Sequence, residues 1–109
     1  MDKNYEYFYC LDFSELTDYK EIHPLIKKAL DFPDYYGENW DAFWDCITDM
    51  ITDTVQIEIR GIEQLKKIDK RSEKILMESL KDFKHIYNDR YSNQIKIEII
   101  YGDTRCEIS

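Results

Sequence analysis

Two short segments in which apolar and polar residues alternate place the strongest limits on how this chain can fold. Val55–Arg60 reads VQIEIR and Ile95–Tyr101 reads IKIEIIY, and a period of two is typical of strands with one covered face. Between them, apolar residues at helical spacing predict a long helix capped by Ser72 and ending near Asn88. Because a helix between consecutive strands favours parallel pairing with a right-handed crossover, we predict a parallel sheet.

The rest of the chain continues this alternation. Tyr5–Leu11 is dense in aromatic residues and is expected to form a first strand packed on both faces. Apolar spacing predicts helices from Lys20 to Leu30 and from a cap at Asn39 to about Ile51, and a short helical turn from Ile62 to Lys67. The resulting order gives three strands with helices stacked mainly on one side.

The length and the net charge of the chain limit the classes of function that it can have. A chain of 109 residues, 43% of them hydrophobic, is expected to form a single domain, residues 1–109, without disulfides or a structural metal. The formal charge of -8 repels phosphate backbones and anionic lipid headgroups, which disfavours direct binding of nucleic acid or membrane. No apolar run approaches the ~18 residues of a membrane span. A partner selected by charge should carry a basic patch.

The cysteines indicate a reducing compartment. Cys10, Cys46 and Cys106 are odd in number and lack CxxC spacing, and the first residues do not resemble a secretory signal. We therefore expect a cytoplasmic protein. Cys46 has no basic neighbour in sequence and is interpreted as packing rather than as a nucleophile.

The sequence offers little for catalysis or cofactor binding. Only three glycines occur, so there is no phosphate-cradling loop. His23 and His85 are isolated from other ligands at metal-binding spacing and are interpreted as surface or partly buried residues. We predict no metal, no cofactor and no enzymatic activity; an acidic enzyme would need turnover that disappears with Asp41→Asn and Asp45→Asn.

An acidic window without a single Lys or Arg is the main functional clue. Its seven carboxylates are those of Asp31, Asp34, Glu38, Asp41, Asp45, Asp49 and Asp53. At 100° per residue, Asp41, Asp45, Thr48 and Asp49 lie opposite the apolar stripe of the second helix, with Trp44 at the border.

Helix stability explains only part of this cluster. Carboxylates in a first turn gain roughly 0.3 to 1 kcal/mol from the helix dipole, which accounts for Glu38 and Asp41. Asp45 and Asp49 lie beyond that turn, where like charges four residues apart cost about 0.2 to 0.5 kcal/mol. The acids, with the aromatic and Tyr-Gly loop residues beside them, therefore predict an interface for a cationic partner.

The segment FPDYYGENWDAFWDCIT, residues 32–48, resembles the signature of the barstar family of intracellular ribonuclease inhibitors. The resemblance covers about two thirds of the chain. It implies an α/β fold with a three-stranded parallel sheet packed against helices in two layers. It also implies an inhibitor, without catalysis, that plugs the active site of a guanyl-type ribonuclease such as barnase.

Carried over by motif position, the resemblance assigns the residues that would contact the ribonuclease. Asp45 would enter the pocket that holds the substrate phosphate, and Tyr35 and Tyr36 would supply flat contact area. Asp82 on the long helix would complete the site, and Asp49 stands where the family often has glycine. The predicted partner-binding residues are Tyr35, Tyr36, Gly37, Asn39, Asp41, Trp44, Asp45, Thr48, Asp49 and Asp82.

Two functions therefore compete at the level of sequence. The first is an immunity protein, monomeric when free, that blocks a basic secreted or toxin ribonuclease with an acidic helix mimicking the substrate phosphate. The second is a regulatory protein-binding module whose cationic partner is not a nuclease, since a fold does not fix a function.

Overall fold

Strands and helices alternate along the chain as the hydrophobic pattern predicts. The computed structural model describes residues 7–49, 55–91 and 95–108. The elements are β1 (Tyr7–Asp12), a 3-10 turn (Tyr19–Glu21), α1 (Ile22–Ala29), α2 (Trp40–Asp49), β2 (Val55–Arg60), α3 (Ile62–Ile68), α4 (Lys70–Tyr91), β3 (Ile95–Tyr101) and β4 (Thr104–Glu107). The predicted ends of the first strand at Tyr5 and of the second helix at Ile51 lie outside the described residues. None of the helices in these three ranges is long and apolar enough to span a bilayer.

Within the described residues, the sheet has four strands in the order β1-β2-β3-β4. Its first three strands are parallel, as predicted, with Tyr7 beside Val55 and Val55 beside Ile95. The fourth strand, β4, runs antiparallel to β3 and was not predicted. Its sequence, TRCE, is short and lacks alternation, so no local pattern distinguishes it from a loop.

The core lies between the sheet and the helices. Ile57 and Ile59 of β2 and Ile97 of β3 are fully buried and share one hydrophobic cluster with Phe43 of α2 and Phe83 of α4. These isoleucines occupy alternate positions, so one face of the sheet packs against the helices while the other carries polar residues. The mixed α/β architecture implied by the sequence is confirmed.

Strand β1 is not packed on both faces, contrary to the prediction. Leu11 is buried, but Phe8 remains 55% exposed and Tyr7 is also exposed. The physical reason is position: β1 lies at the edge of the described sheet beside β2, and Phe8 pairs with Gln56 on the polar face, opposite the face that packs against the helices. An aromatic segment does not reveal whether it will occupy the centre or the edge of a sheet.

Two helix starts differ from the prediction. Lys20 belongs to the 3-10 turn, which Asp18 caps by accepting a hydrogen bond from the backbone N–H of Lys20 at 2.9 Å. The long helix begins at Lys70, before Ser72, and the Ser72 hydroxyl donates to the Asp69 carboxylate at 2.9 Å. Asp69 therefore takes the capping place predicted for Ser72, because a carboxylate accepts from helix N–H groups at least as well as a hydroxyl.

The polar face of the sheet holds two buried carboxylates bridged by one guanidinium. Glu58 and Glu98 are each only 7% exposed and lie side by side in the register. Arg105 of β4 lies 2.8 Å from Glu58 and 3.3 Å from Glu98, and Gln56 donates to Glu98 at 2.9 Å. The unpredicted strand thus supplies the cation that bridges the two carboxylates, while Arg60 lies 3.4 Å from Glu58 and Lys96 lies 4.0 Å from Glu98.

Arg105→Ala is expected to destabilise the fold by about 1 to 2 kcal/mol, because it leaves the Glu58 and Glu98 carboxylates close together with weaker counter-charges. The value is modest because the Arg105 side chain is itself half-exposed. Urea denaturation should show a lower midpoint with an unchanged slope. Arg71→Ala, at an exposed residue, is the matched control; equal midpoints for the two variants would contradict the role of Arg105.

Candidate functional site

The chain reverses sharply between α1 and the loop that precedes α2. Asp31 adopts a left-handed conformation with φ of 54°. The backbone N–H of Phe32 donates to the carbonyl of Lys27 at 2.9 Å, and that of Asp31 to Lys28 at 3.4 Å. This pair of bonds forms a Schellman motif, with aspartate where glycine is usual. It ends α1 and starts the loop of residues 33–39, called here the recognition loop.

The two consecutive tyrosines of the recognition loop point in opposite directions. Tyr35 is 79% exposed, whereas Tyr36 is only 4% exposed. The Tyr36 ring packs edge-on against Phe32, with centroids 5.0 Å apart, and its hydroxyl lies 2.5 Å from Nδ1 of His23. The prediction that Tyr36 offers exposed contact area is therefore wrong, because its ring fills the space between the loop and α1.

An aromatic cluster extends from Tyr36 into α2. His23 of α1 meets Trp40 edge-on, with ring centroids 4.6 Å apart, and Trp40 meets Phe43 at 5.4 Å. Edge-to-face contacts of this kind each contribute about 0.5 to 1.5 kcal/mol beyond simple burial. The cluster joins α1, the recognition loop and the start of α2, so these three parts are held in one arrangement.

Asn39 caps α2 as predicted. Its side-chain oxygen accepts a hydrogen bond from the backbone N–H of Ala42 at 2.8 Å, and its carbonyl accepts from Phe43 at 2.9 Å. The Asn39 amide also donates to the carbonyl of Gly37 at 3.2 Å. Of the predicted binding residues, Gly37 and Asn39 therefore lie exposed and fix the backbone that leads into the helix.

Helix α2 divides cleanly into a buried side and an acidic side. Phe43, Cys46 and Ile47 are buried, while the exposed carboxylates are those of Asp41, Asp45 and Asp49. These three residues are called here the acidic face. Trp44 and Thr48 are half-buried at its border, and Trp44 packs against the core. The spacing predicted from the sequence is confirmed by the structure.

The acidic face has no counter-charge within the described part of the chain. None of the ion pairs formed by residues 7–49, 55–91 and 95–108 involves Asp41, Asp45 or Asp49. By contrast, the buried acids of the sheet are paired with Arg105. Three aspartates at four-residue spacing repel one another, so their arrangement suits an external cation better than it suits the fold.

The Thr48 hydroxyl donates its hydrogen bond within α2. Its hydroxyl donates to the carbonyl of Trp44 at 2.8 Å, with a longer contact of 3.1 Å to that of Asp45. This bond back to the preceding turn is common for threonine in helices. The hydroxyl proton is thus occupied, and the oxygen keeps a lone pair with which to accept a bond from a partner.

Cys46 is a packing residue of the core, as the sequence predicts. It is buried, and burial raises the pKa of its thiol, with Asp49 and Asp45 adding to the effect. Both causes suppress the reactive thiolate. All three cysteines are free. The described residues also contain no group of three His, Cys, Asp or Glu that could hold a metal ion.

Asp82 is the one predicted site residue outside the recognition loop and α2. It lies exposed on α4, which packs against α2. No ion pair or hydrogen bond among the described side chains links Asp82 to the acidic face. The fold therefore brings together Tyr35, Gly37, Asn39 and the α2 residues, and its contacts do not tie Asp82 to them.

Sequence reasoning missed the contribution of His23. The residue is half-buried, and burial lowers the pKa of its imidazole, partly opposed by Glu38. Burial likewise raises the pKa of Tyr36. At neutral pH both groups are therefore uncharged, and they share a hydrogen bond between the Tyr36 hydroxyl and Nδ1 of His23 whose donor is set by the imidazole tautomer. The sequence signal for its partial burial was the position of His23 directly after Ile22 at the start of an amphipathic helix.

Comparison with known proteins identifies the family to which the chain is related. A family model described as Barstar (barnase inhibitor) matches residues 7–99, a range that includes the recognition loop, α2, strands β1 and β2, and β3 up to Ile99. Strand β4 lies beyond the matched residues. A search of curated proteins found no match to this chain.

Proposed function

The chain belongs to the barstar family, whose members inhibit barnase-like ribonucleases, and on this premise we propose that it is a stoichiometric inhibitor of a basic ribonuclease. The inhibitor acts by occupying the active site of the enzyme and performs no catalysis. In the producing cell it would serve as a cytoplasmic immunity protein against a secreted or delivered ribonuclease.

The observation that carries the proposal is the exposed carboxylate of Asp45 in the middle of α2, which forms no ion pair with any residue that the structure describes. A ribonuclease gathers cationic side chains to stabilise the transferring phosphate. A carboxylate can replace that phosphate, because its two oxygens accept charge-assisted hydrogen bonds from the same donors. Since α2 is held by the core, the carboxylate is presented without reorganisation, which reduces the entropy lost on binding.

The neighbouring residues would shape the rest of the contact. Tyr35 provides an exposed ring, which can lie against the base-binding region of the enzyme at little cost in side-chain entropy. Trp44, Thr48 and Asp49 would border the inserted carboxylate, with Gly37 and Asn39 contributing loop backbone. Asp82 is proposed as an outlying contact. Tyr36 supports the loop from within rather than touching the enzyme.

Asp41 is proposed to act mainly before contact, by attracting the enzyme. The net charge of -8 gives long-range attraction to a basic protein, which salt screens. Asp41→Asn is therefore expected to slow association several-fold at low ionic strength and to flatten its dependence on salt. Stopped-flow mixing with barnase, as a basic ribonuclease of the type named by the family, measures both; an unchanged salt slope would contradict this role.

The proposal is tested by capture from the organism that makes the protein. The parent chain and Asp45→Ala serve as paired baits, and proteins retained by the parent alone are assayed for RNA cleavage. A basic ribonuclease that the parent silences at one equivalent is the expected result. A basic protein without ribonuclease activity would instead support the cationic non-nuclease partner.

A further inference from the structure

A part-buried side-chain hydrogen bond connects the first helix to the recognition loop. Tyr36 projects from the middle of the loop into the cluster formed by His23, Phe32 and Trp40, and ends on Nδ1 of His23 at 2.5 Å. The backbone N–H of Tyr36 is also fixed, since it donates to the carbonyl of Pro33 at 3.0 Å. The position of Tyr36 thus sets the position of the loop around it.

The exposed contact residues depend directly on this anchor. Tyr35 is the next residue toward the N-terminus, and Gly37, the next toward the C-terminus, accepts the bond from the Asn39 amide. Glu38, which lies between Gly37 and Asn39, adopts a left-handed conformation with φ of 53°, which is unfavourable for a residue with a Cβ. A loop held in such a conformation requires contacts that fix it, and the Tyr36 anchor supplies one.

We propose that His23 is a positioning residue for ribonuclease binding, whose neutral imidazole holds the recognition loop in its binding conformation through Tyr36, so that affinity falls when His23 is protonated. The inference rests on the proposed function, because the loop matters only if it contacts the enzyme. His23 itself is half-buried behind the loop and touches no partner. Its effect is transmitted entirely by the hydroxyl of Tyr36.

Protonation disrupts the anchor for a simple chemical reason. The proposal assigns Tyr36 as the donor and Nδ1 of the neutral imidazole as the acceptor; imidazolium carries a proton on both nitrogens and cannot accept this bond. The bond would reverse, and the hydroxyl proton of the buried Tyr36 ring would lose its present acceptor. The groups that face His23 are Tyr36, Trp40 and, by its charge, Glu38, with Lys27 one turn further along α1. Only Glu38 favours the cation, and burial opposes it.

The test compares the parent with Tyr36→Phe, which keeps the ring and removes only the hydroxyl, and with His85→Gln, which alters an exposed histidine. Dissociation constants for barnase are measured by calorimetry at pH 7.5 and at a pH below the midpoint of the His23 ring, which the NMR titration described below gives. At pH 7.5, Tyr36→Phe is expected to bind about five- to tenfold more weakly, the effect of one lost hydrogen bond. His85→Gln should bind like the parent at both values.

The pH dependence separates positioning from a merely structural role. Titration of barnase affects all variants alike, so the ratio of the Tyr36→Phe and parent constants isolates the His23 bond. This ratio should fall toward one below the midpoint of the His23 ring, where protonation has removed the bond from the parent as well. A ratio that stays constant with pH, or equal binding at pH 7.5, would overturn the proposal.

A measurement on the free chain distinguishes this inference from the proposed function. In an NMR titration of the parent, the amides of Gly37 and Glu38 should shift with the midpoint of the His23 ring, and in Tyr36→Phe this coupling should disappear. If the parent binds no ribonuclease but the coupling is present, the proposed function fails while the anchor stands. Absence of the coupling in the parent would refute the anchor whatever the chain binds.

Discussion

Replacing Asp45 with alanine is expected to weaken binding to a barnase-type ribonuclease by about 3 kcal/mol, roughly 150-fold. The side chain is exposed at the centre of the acidic face and has no internal counter-charge among the described residues. In the complex its removal would leave the enzyme's phosphate-binding cations buried without an acceptor. The loss should appear mainly as faster dissociation, because the contact forms only after the proteins meet.

A matched control removes one negative charge elsewhere. Glu15 is exposed in the connection after β1 and forms none of the described hydrogen bonds or ion pairs. Glu15→Ala lowers the net charge by the same unit and should change the dissociation constant no more than about twofold. If calorimetry found the two variants equally weakened, the charge of the whole chain, and not the Asp45 carboxylate, would carry the affinity.

Gly61→Ala is expected to cause the largest loss of stability of any single methyl group added to this fold. Gly61 follows β2 with φ of +72°, and a Cβ there would lie 2.2 Å from the backbone nitrogen of Ser14 and 2.7 Å from the carbonyl carbon of Phe13. The neighbouring backbone cannot move aside, because the N–H of Phe13 donates to the carbonyl of Arg60 at 2.8 Å. We expect a loss of about 4 kcal/mol or more, a large part of the stability of a small domain.

Gly102→Ala separates the two causes of that loss, which are backbone strain at a positive φ and the steric clash of the added Cβ. Gly102 in the turn before β4 also has a positive φ, +59°, but a Cβ there meets nothing within 4 Å. Backbone strain alone should cost about 1 kcal/mol. Thermal unfolding should therefore show a fall in Tm of roughly 15 °C or more for Gly61→Ala and about 4 to 8 °C for Gly102→Ala. Similar falls for both would show that close packing at Gly61 contributes little.

The fold was predictable where a local pattern of polar and apolar residues indicates which side chains are buried. Strand β2 begins and ends at the predicted residues, because the polarity of each side chain indicates which face of the strand it occupies. Strand β1 and strand β4 were misjudged, since their packing depends on being at the edges of the sheet, which is a property of the whole topology. The capping place of Ser72 was likewise misassigned because Asp69, three residues earlier, competes for the same N–H groups.

The candidate site was predictable for the helix and less so for the loop. Helical periodicity alone separates Asp41, Asp45 and Asp49 from the core. Two adjacent tyrosines carry no such signal, and only the aromatic pocket behind the loop determines that Tyr36 turns inward and Tyr35 outward. For the same reason His23, thirteen residues before Tyr36, could not be connected with the loop before the packing was known.

Competition with a nucleotide tests the central claim most directly. If the acidic face occupies the phosphate pocket of the enzyme, guanosine 3′-monophosphate bound at a barnase active site must leave before the chain can bind. The apparent dissociation constant of the parent chain for barnase should then rise in proportion to nucleotide concentration. A tight complex whose affinity does not change as the nucleotide saturates the active site would contradict the account.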